Sequence, residues 1–221
     1  MDHGCSIVHR RQRSRTLAPL IMPMPIFPVN ALRGGDDDDP IEGGKELFTN
    51  FVHGEIVKEG LACSQTLSDI CTPIGYNNPL WAKAGRELRW MADAFAKTEE
   101  RKKIRKRAME VGITEVSFQQ FYDLLKELFF EGGFTKERIM VLFFFCTDVA
   151  VRSLRQGAEL FKRFLQWSLT FITDNVCSWV QQQGGWGRVF GDCGTIPASY
   201  IVIGAAFAVT AYYGWRHFSR C

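Results

Sequence analysis

The run IMVLFFFCTDVAV at residues 139–151 constrains the fold more than any other stretch of the sequence. It is apolar on almost every side, so a helix formed by it must be covered by other elements all round. It is too short to cross a bilayer alone. Thr135 precedes it as a helix cap and Gly157 follows it as a break. These features predict a helix buried in the centre of a bundle.

Amphipathic segments flank this central run on both sides. Apolar residues recur in them at steps of three and four, which is typical of helices with one buried face. These segments are 44–60, 84–97, 114–133 and 159–176, and Pro79 suits the start of the helix that contains 84–97. The stretch EERKKIRKR at 99–107 is interpreted as a charged helix or turn with a solvated face, and residues 177–194 as one or two short helices. The predicted fold class is all-α, with about eight helices around the central one.

The two ends of the chain differ from this bundle. Residues 1–43 contain a basic cluster, several prolines and the spacer GGDDDDP, so we predict an unstructured extension there. A mitochondrial presequence is the less favoured alternative, since prolines interrupt any amphipathic helix. The predicted domains are the extension 1–43, the bundle 44–194 and a tail anchor 195–221.

The segment IPASYIVIGAAFAVTAYYGW at 196–215 has twenty residues and no charge, which is the length that a transmembrane helix needs. Aromatic residues near its ends and a following basic residue fit the two membrane interfaces. The alternative is a helix buried in the core or sheltered in a protein groove. The residues predicted to form the anchor are Ile196, Tyr200, Ile203, Gly204, Ala208 and Trp215.

The sequence contains no motif for phosphate, dinucleotide or zinc binding and no nucleophile elbow. A net charge of +3 is too mild to indicate a nucleic-acid partner, and the seven cysteines are scattered without a C-x-x-C pair. We therefore expect neither an enzyme nor a metal site nor a cofactor. Asp148 lies inside the apolar run, where it is either a functional acid or, more often, the polar edge of a helix or a residue paired across the bundle.

The stretch AGRELRWMADAFAK at 84–97 raises a separate question. An apolar stripe runs along one face of the predicted helix, with Asp93 beside it and Trp90 on the opposite face. Such a helix either packs in its own bundle or docks in a groove of a partner, with one charge to fix its register. The residues of this candidate site are Ala84, Leu88, Met91, Ala92, Asp93 and Phe95.

Four segments in fixed order resemble the B-cell lymphoma-2 family of apoptosis regulators, and within it the Bax/Bak-type pore-forming effectors. GRELRWMADAF is similar to the family's death motif, and LFFEGGFTKERIMVLFFF to its first homology motif. WVQQQGGW is very close to the second motif, and ELFTNFVHGEIV loosely matches the fourth. The resemblance covers roughly residues 44–221.

This resemblance implies that the death-motif helix inserts its stripe into a partner's groove, where Asp93 meets Arg138 of that partner. The implied groove residues are Phe129, Gly133, Thr135, Glu137, Arg138, Trp179, Gly185 and Trp186. Two positions depart from the family pattern. Glu137 replaces a glycine, adding bulk and a charge that repels Asp93 or holds Arg138, and Ala84 is a small first anchor.

The resemblance therefore predicts a pro-apoptotic effector that exposes its death motif, assembles with further copies of itself and permeabilises the mitochondrial outer membrane. The implied partners are itself, other family members and membrane lipid, with no nucleic acid. The implied location is that membrane, with the bulk in the cytosol, or else the cytosol or the endoplasmic reticulum. The alternatives are a survival-type member that sequesters death motifs and a tail-anchored adaptor with neither activity.

Overall fold

The computed structural model describes residues 38–61, 75–130 and 132–191. Every regular element in these residues is helical, which confirms the predicted all-α bundle. The elements in chain order are α1 (Pro40–Lys58), α2 (Pro79–Phe95), α3 (Glu99–Glu110), α4 (Phe118–Phe130), α5 (Lys136–Leu154), α6 (Ala158–Phe171), a π-helical turn (Ile172–Val176), α7 (Cys177–Gln182) and α8 (Trp186–Phe190).

Helix α5 is the predicted central helix, and it is buried along nearly its whole length. Thr135 caps its first turn, since its hydroxyl accepts a hydrogen bond from the Arg138 amide at 3.3 Å. Helices α1, α3 and α6 pack around it. Aromatic rings join these layers edge to face, with Phe48 5.1 Å from Phe143 and Phe51 5.0 Å from Phe144. The high phenylalanine content of the chain is thus used in the core.

Helix α1 begins at Pro40, four residues before the predicted start. The Asp39 carboxylate caps it by accepting a hydrogen bond from the Ile41 amide at 2.8 Å. The prediction of an unstructured extension is therefore wrong for residues 38–43, because the acidic spacer supplies a helix cap. The rest of that extension, residues 1–37, lies outside the described residues.

Two predicted helices have different bounds in the structure. The one predicted over 114–133 begins only at Phe118, since Ser117 and Gln120 hydrogen-bond each other at its start. The one predicted over 159–176 changes to a π-helical turn after Phe171. Asn175 in that turn donates a hydrogen bond to the Tyr122 hydroxyl at 2.7 Å, which ties the turn to α4. Both differences depend on side-chain hydrogen bonds that apolar periodicity does not reveal.

Candidate interaction site

The apolar stripe of α2 is buried in the chain's own bundle. Leu88 is 2 % exposed, and Ala84, Met91, Ala92 and Phe95 are completely buried. The helix starts where the sequence predicts, because Pro79 occupies its first turn and the Asn78 side chain caps the Leu80 amide at 2.8 Å. Of the two possibilities left open by the sequence, the structure shows packing within the bundle.

Helix α2 packs mainly against α8 and α1, with α5 beneath its end. The ring of Phe95 lies 5.6 Å from that of Phe144 in the central helix. Gly187 of α8 lies close to Leu80, so that a Cβ atom at residue 187 would lie 3.4 Å from the Leu80 Cβ. The stripe is therefore covered by the terminal helices as well as by the core.

Two ion pairs and one cation–π contact hold the polar edge of α2 to α1. The Lys58 ammonium lies 3.0 Å from the Asp93 carboxylate and 2.9 Å from that of Glu55. Arg89 also reaches Glu55 at 3.2 Å, and its guanidinium lies over the Phe51 ring. The absence of a side chain at Gly54 makes room for Arg89. Asp93 thus pairs with α1 within this chain, whereas Arg138 makes other contacts.

The predicted receiving residues at the start of α5 lie together. Arg138 is almost fully buried, and its guanidinium donates a hydrogen bond to the Gly133 carbonyl at 3.3 Å. Glu137 is half-buried and makes no hydrogen bond or ion pair with the described residues. Among the described residues, Glu137 therefore forms no pair with Arg138.

The other predicted groove residues fall into two separate clusters. Phe129 and Trp179 both contact Phe134, with ring centroids 4.4 Å and 6.2 Å from its own. Trp186 is completely buried and donates a hydrogen bond from its indole to the Pro40 carbonyl at 2.7 Å. Gly185 packs against Asp38, which leaves no room for a side chain there. These last two residues position the start of α1.

Residues 40–43, the first turn of α1, which apolar periodicity does not predict, pack tightly against α2 and α8. A Cβ atom at Gly43 would lie 2.7 Å from atoms of both Trp81 and Trp186. The Trp81 indole also donates a hydrogen bond to the Asp38 carboxylate at 2.6 Å. The pair of glycines at 43–44 is the signal in the sequence, since glycine within a helix often marks close packing.

Asp148 is paired across the bundle. The Arg101 guanidinium contacts both of its carboxylate oxygens, at 2.6 and 2.7 Å, and lies over the Phe144 ring at 4.3 Å. Burial raises the pKa of the Asp148 carboxyl, while the bonds from Arg101 act in the opposite direction. The residue is thus a structural link between α3 and α5.

The described cysteines are not poised for chemistry. Cys146 and Cys177 are buried, and burial raises the pKa of each thiol to about 12. Such thiols stay protonated at neutral pH and are poor nucleophiles. Among the described residues, no group of acidic, histidine or cysteine side chains could hold a metal ion.

A cavity of about 580 Å³, which no pattern in the sequence predicts, lies between α3, α4 and the loop that joins them. Its apolar floor includes Val111, Val116 and Leu124. Its rim is acidic, and burial raises the pKa of the Glu127 carboxyl there. None of the predicted groove residues lines this cavity. Helix α4 contributes residues both to the cavity and to the predicted groove.

The residues predicted to form a membrane anchor, from Ile196 to Trp215, lie outside the described residues. Within residues 38–61, 75–130 and 132–191, no helix has the length and apolar character to span a bilayer.

Comparisons with known proteins agree with this geometry. A family model described as apoptosis regulator proteins of the Bcl-2 (B-cell lymphoma-2) family matches residues 88–186, from the α2 stripe to Trp186. The apoptosis regulator BAX of Homo sapiens is 27 % identical over 99 residues, which are 44 % of this chain and 52 % of BAX. BAX of Bos taurus is 28 % identical over the same share of each chain. The chain thus spans about half the length of these relatives.

Two solved structures share the fold. The crystal structure of chicken BOK has a TM-score of 0.56 at 17 % identity, and the match covers 73 % of this chain and 100 % of BOK. The BCL-2 protein of Trichuris suis has a TM-score of 0.55 at 16 % identity, covering 75 % of this chain and 94 % of the other.

Proposed function

We propose that this chain, which belongs to the Bcl-2 family of apoptosis regulators, is a pro-apoptotic effector. On activation it exposes α2, places it in the groove of another copy, and permeabilises the mitochondrial outer membrane as an oligomer. Its role is that of a regulator acting through protein and membrane contacts. The sequence similarity to BAX and the fold shared with BOK support this choice.

The burial of the α2 stripe is the observation that carries the proposal. Burying a Leu, Met or Phe side chain contributes about 1.5–3 kcal/mol, whereas an exposed ion pair contributes up to about 1 kcal/mol. Apolar contact, more than the Lys58–Asp93 pair, therefore holds α2 in place. A partner groove that offers equal apolar burial would be able to take the helix over.

The receiving surface of this proposal runs along α4. One end is the cavity floored by Leu124, and the other is the cluster of Phe129 with Arg138 at the start of α5. A helix laid along α4 would contact both, with its Asp93 near Arg138. The small Ala92 would let the two helices approach closely.

The alternative is a survival-type member that sequesters death motifs of other proteins. Glu137 disfavours a tight sequestering groove, because its carboxylate, which has no ion-pair partner among the described residues, lies beside the position proposed for the incoming aspartate. The proposed partners are therefore a second copy, other Bcl-2 family proteins and membrane lipid. The proposed location is the mitochondrial outer membrane, with resting pools in the cytosol or at the endoplasmic reticulum.

Dye release from cardiolipin-containing liposomes tests the proposal. The purified full chain is expected to release the dye when an activating death-motif peptide is added. No release in the presence of the peptide would overturn the effector assignment. Nanomolar binding of such peptides together with protection of cells would support the survival-type alternative, and neither binding nor release would leave an adaptor.

A further inference from the structure

The outer face of α2 is basic and carries an exposed tryptophan. Lys83, Arg86, Trp90 and Lys97 follow one another at steps of three, four and seven, so they lie on one side of the helix and just beyond its end. All four are exposed, with Trp90 at 47 %. Asp93, predicted beside the stripe, lies on this exposed side and is paired with Lys58. Glu87, the other acid near this side, is half-buried. This face is opposite to the buried stripe.

The next helix continues the same pattern. Lys102, Lys103, Lys106 and Met109 are exposed on one side of α3. Residues 83–107 contain ten Lys and Arg but four Asp and Glu, a formal charge of +6 in a chain whose total is +3. We call the exposed side chains of these two faces, 83, 86, 90, 97, 102, 103, 106 and 109, the basic surface.

Ion pairs within the chain leave much of this charge free. Arg101 is bound to Asp148, Arg105 to Glu59 and Lys102 to Glu99. Among the residues that the structure describes, Lys83, Arg86, Lys97, Lys103 and Lys106 are exposed cations that make no ion pair. A cluster of four to eight such cations is typical of surfaces that contact anionic lipid headgroups.

We propose that the basic surface docks the folded protein on an anionic lipid bilayer while the α2 stripe is still buried. The cations would lie among the headgroups, and the Trp90 indole would enter the interface, where tryptophan is favoured. A nucleic acid is disfavoured, because stacking of successive bases needs several aromatic rings and Trp90 is the one exposed aromatic in residues 83–107. This docking needs neither release of α2 nor insertion of a tail.

The test is flotation of the full chain with vesicles of phosphatidylcholine and increasing fractions of phosphatidylserine, without an activating peptide. Binding is expected to rise with the anionic fraction and to fall with added salt, because the Debye length shortens. The triple variant K83Q/R86Q/K97Q should bind anionic vesicles less tightly by on the order of 100-fold, at roughly fivefold per cation.

Matched controls separate the surface from the overall charge. The variant K45Q/K126Q/K162Q removes the same charge from α1, α4 and α6, and should bind nearly as the wild type does. Trp90→Ala should weaken binding, whereas Phe130→Ala, at an aromatic residue that is 87 % exposed on α4, should not. Circular dichroism of each variant checks that the bundle is folded.

Several results would overturn the proposal. Equal losses of vesicle binding in the two triple variants would show a general charge effect. Binding of the wild type to neutral vesicles as tight as to anionic ones would show that another segment binds the lipid. An unchanged vesicle affinity for K83Q/R86Q/K97Q together with weaker binding to an RNA oligonucleotide would assign the surface to nucleic acid. Failure of dye release would not bear on this result, since docking is measured without activation.

Discussion

Glu137 is the residue that most distinguishes the receiving end of this chain. It is half-buried beside Arg138 and has no ion-pair partner among the described residues. In the proposed complex, an incoming Asp93 would approach Arg138 and meet the Glu137 carboxylate on the way. The Glu137 side chain thus determines both how much room the site has for the incoming helix and which charge that helix meets.

Replacing Glu137 with Gly should tighten the binding of a death-motif peptide by about 1 kcal/mol or more, because repulsion and crowding are relieved. Titration calorimetry of the full chain would measure this change in the free energy of peptide binding. Glu159→Gly is a matched control, since Glu159 occupies the same second position of its own helix, α6. Unchanged or weaker binding by the E137G variant would show that Glu137 does not face the incoming helix.

The buried pair of Arg101 and Asp148 gives a second prediction at this scale. Asp148→Asn leaves the Arg101 guanidinium buried without a counter-charge, which should lower the free energy of unfolding by about 3–5 kcal/mol. The double variant R101M/D148L removes both charges and should recover most of that loss. Urea denaturation would measure the unfolding free energy of both variants. If the double variant were as unstable as Asp148→Asn, the ion pair itself would be the source of the stability.

At the scale of elements, periodicity in the sequence predicts the helices that have one continuous apolar face. It identified α5 as the centre, Thr135 as its cap and Pro79 as the start of α2. It missed the first turn of α1, because the acidic residues and glycines there look like a linker. Their role depends on Trp81 and Trp186, which are far away in the sequence.

For the candidate site too, sequence periodicity predicts a face formed by one helix but not contacts between residues far apart in the sequence. The α2 stripe could be predicted from apolar spacing alone, since its face is set by one helix. The groove residues were inferred from a resemblance to a family. In the structure, Trp179 contacts the Phe134 ring, whereas Trp186 donates a hydrogen bond to the Pro40 carbonyl, so the two tryptophans lie in separate clusters. The α3–α4 cavity depends on how a loop is folded, so no local pattern indicated it.

Gly43→Ala tests the joint between α1, α2 and α8. The added methyl group would lie 2.7 Å from atoms of both Trp81 and Trp186, so one ring or the helix must move. Such overpacking should cost about 1–3 kcal/mol of unfolding free energy. Gly112→Ala is the control, because its Cβ would meet nothing closer than 3.9 Å. Equal stability of the two variants in urea denaturation would show that the joint is loose.

At the scale of the whole molecule, the proposed function requires α2 to serve two purposes in turn. At rest its stripe completes the bundle, and after release the same stripe binds another copy. Substitutions of Leu88 or Phe95 would change both purposes together, since large-to-small changes in the core cost about 2–5 kcal/mol. Asp93 is different, because its side chain is exposed and its one ion pair with the described residues is to Lys58.

Asp93→Ala should therefore leave the unfolding free energy within about 1 kcal/mol of the wild type, as expected for an exposed ion pair, but strongly reduce peptide-triggered dye release. Lys58→Met is the matched control, because it removes the same resting contact and keeps the carboxylate that would meet Arg138 of a second copy. It should release dye at least as well as the wild type. Equal loss of release in both variants would place the role of Asp93 in the resting bundle, whereas loss in D93A alone would place it in the contact between copies.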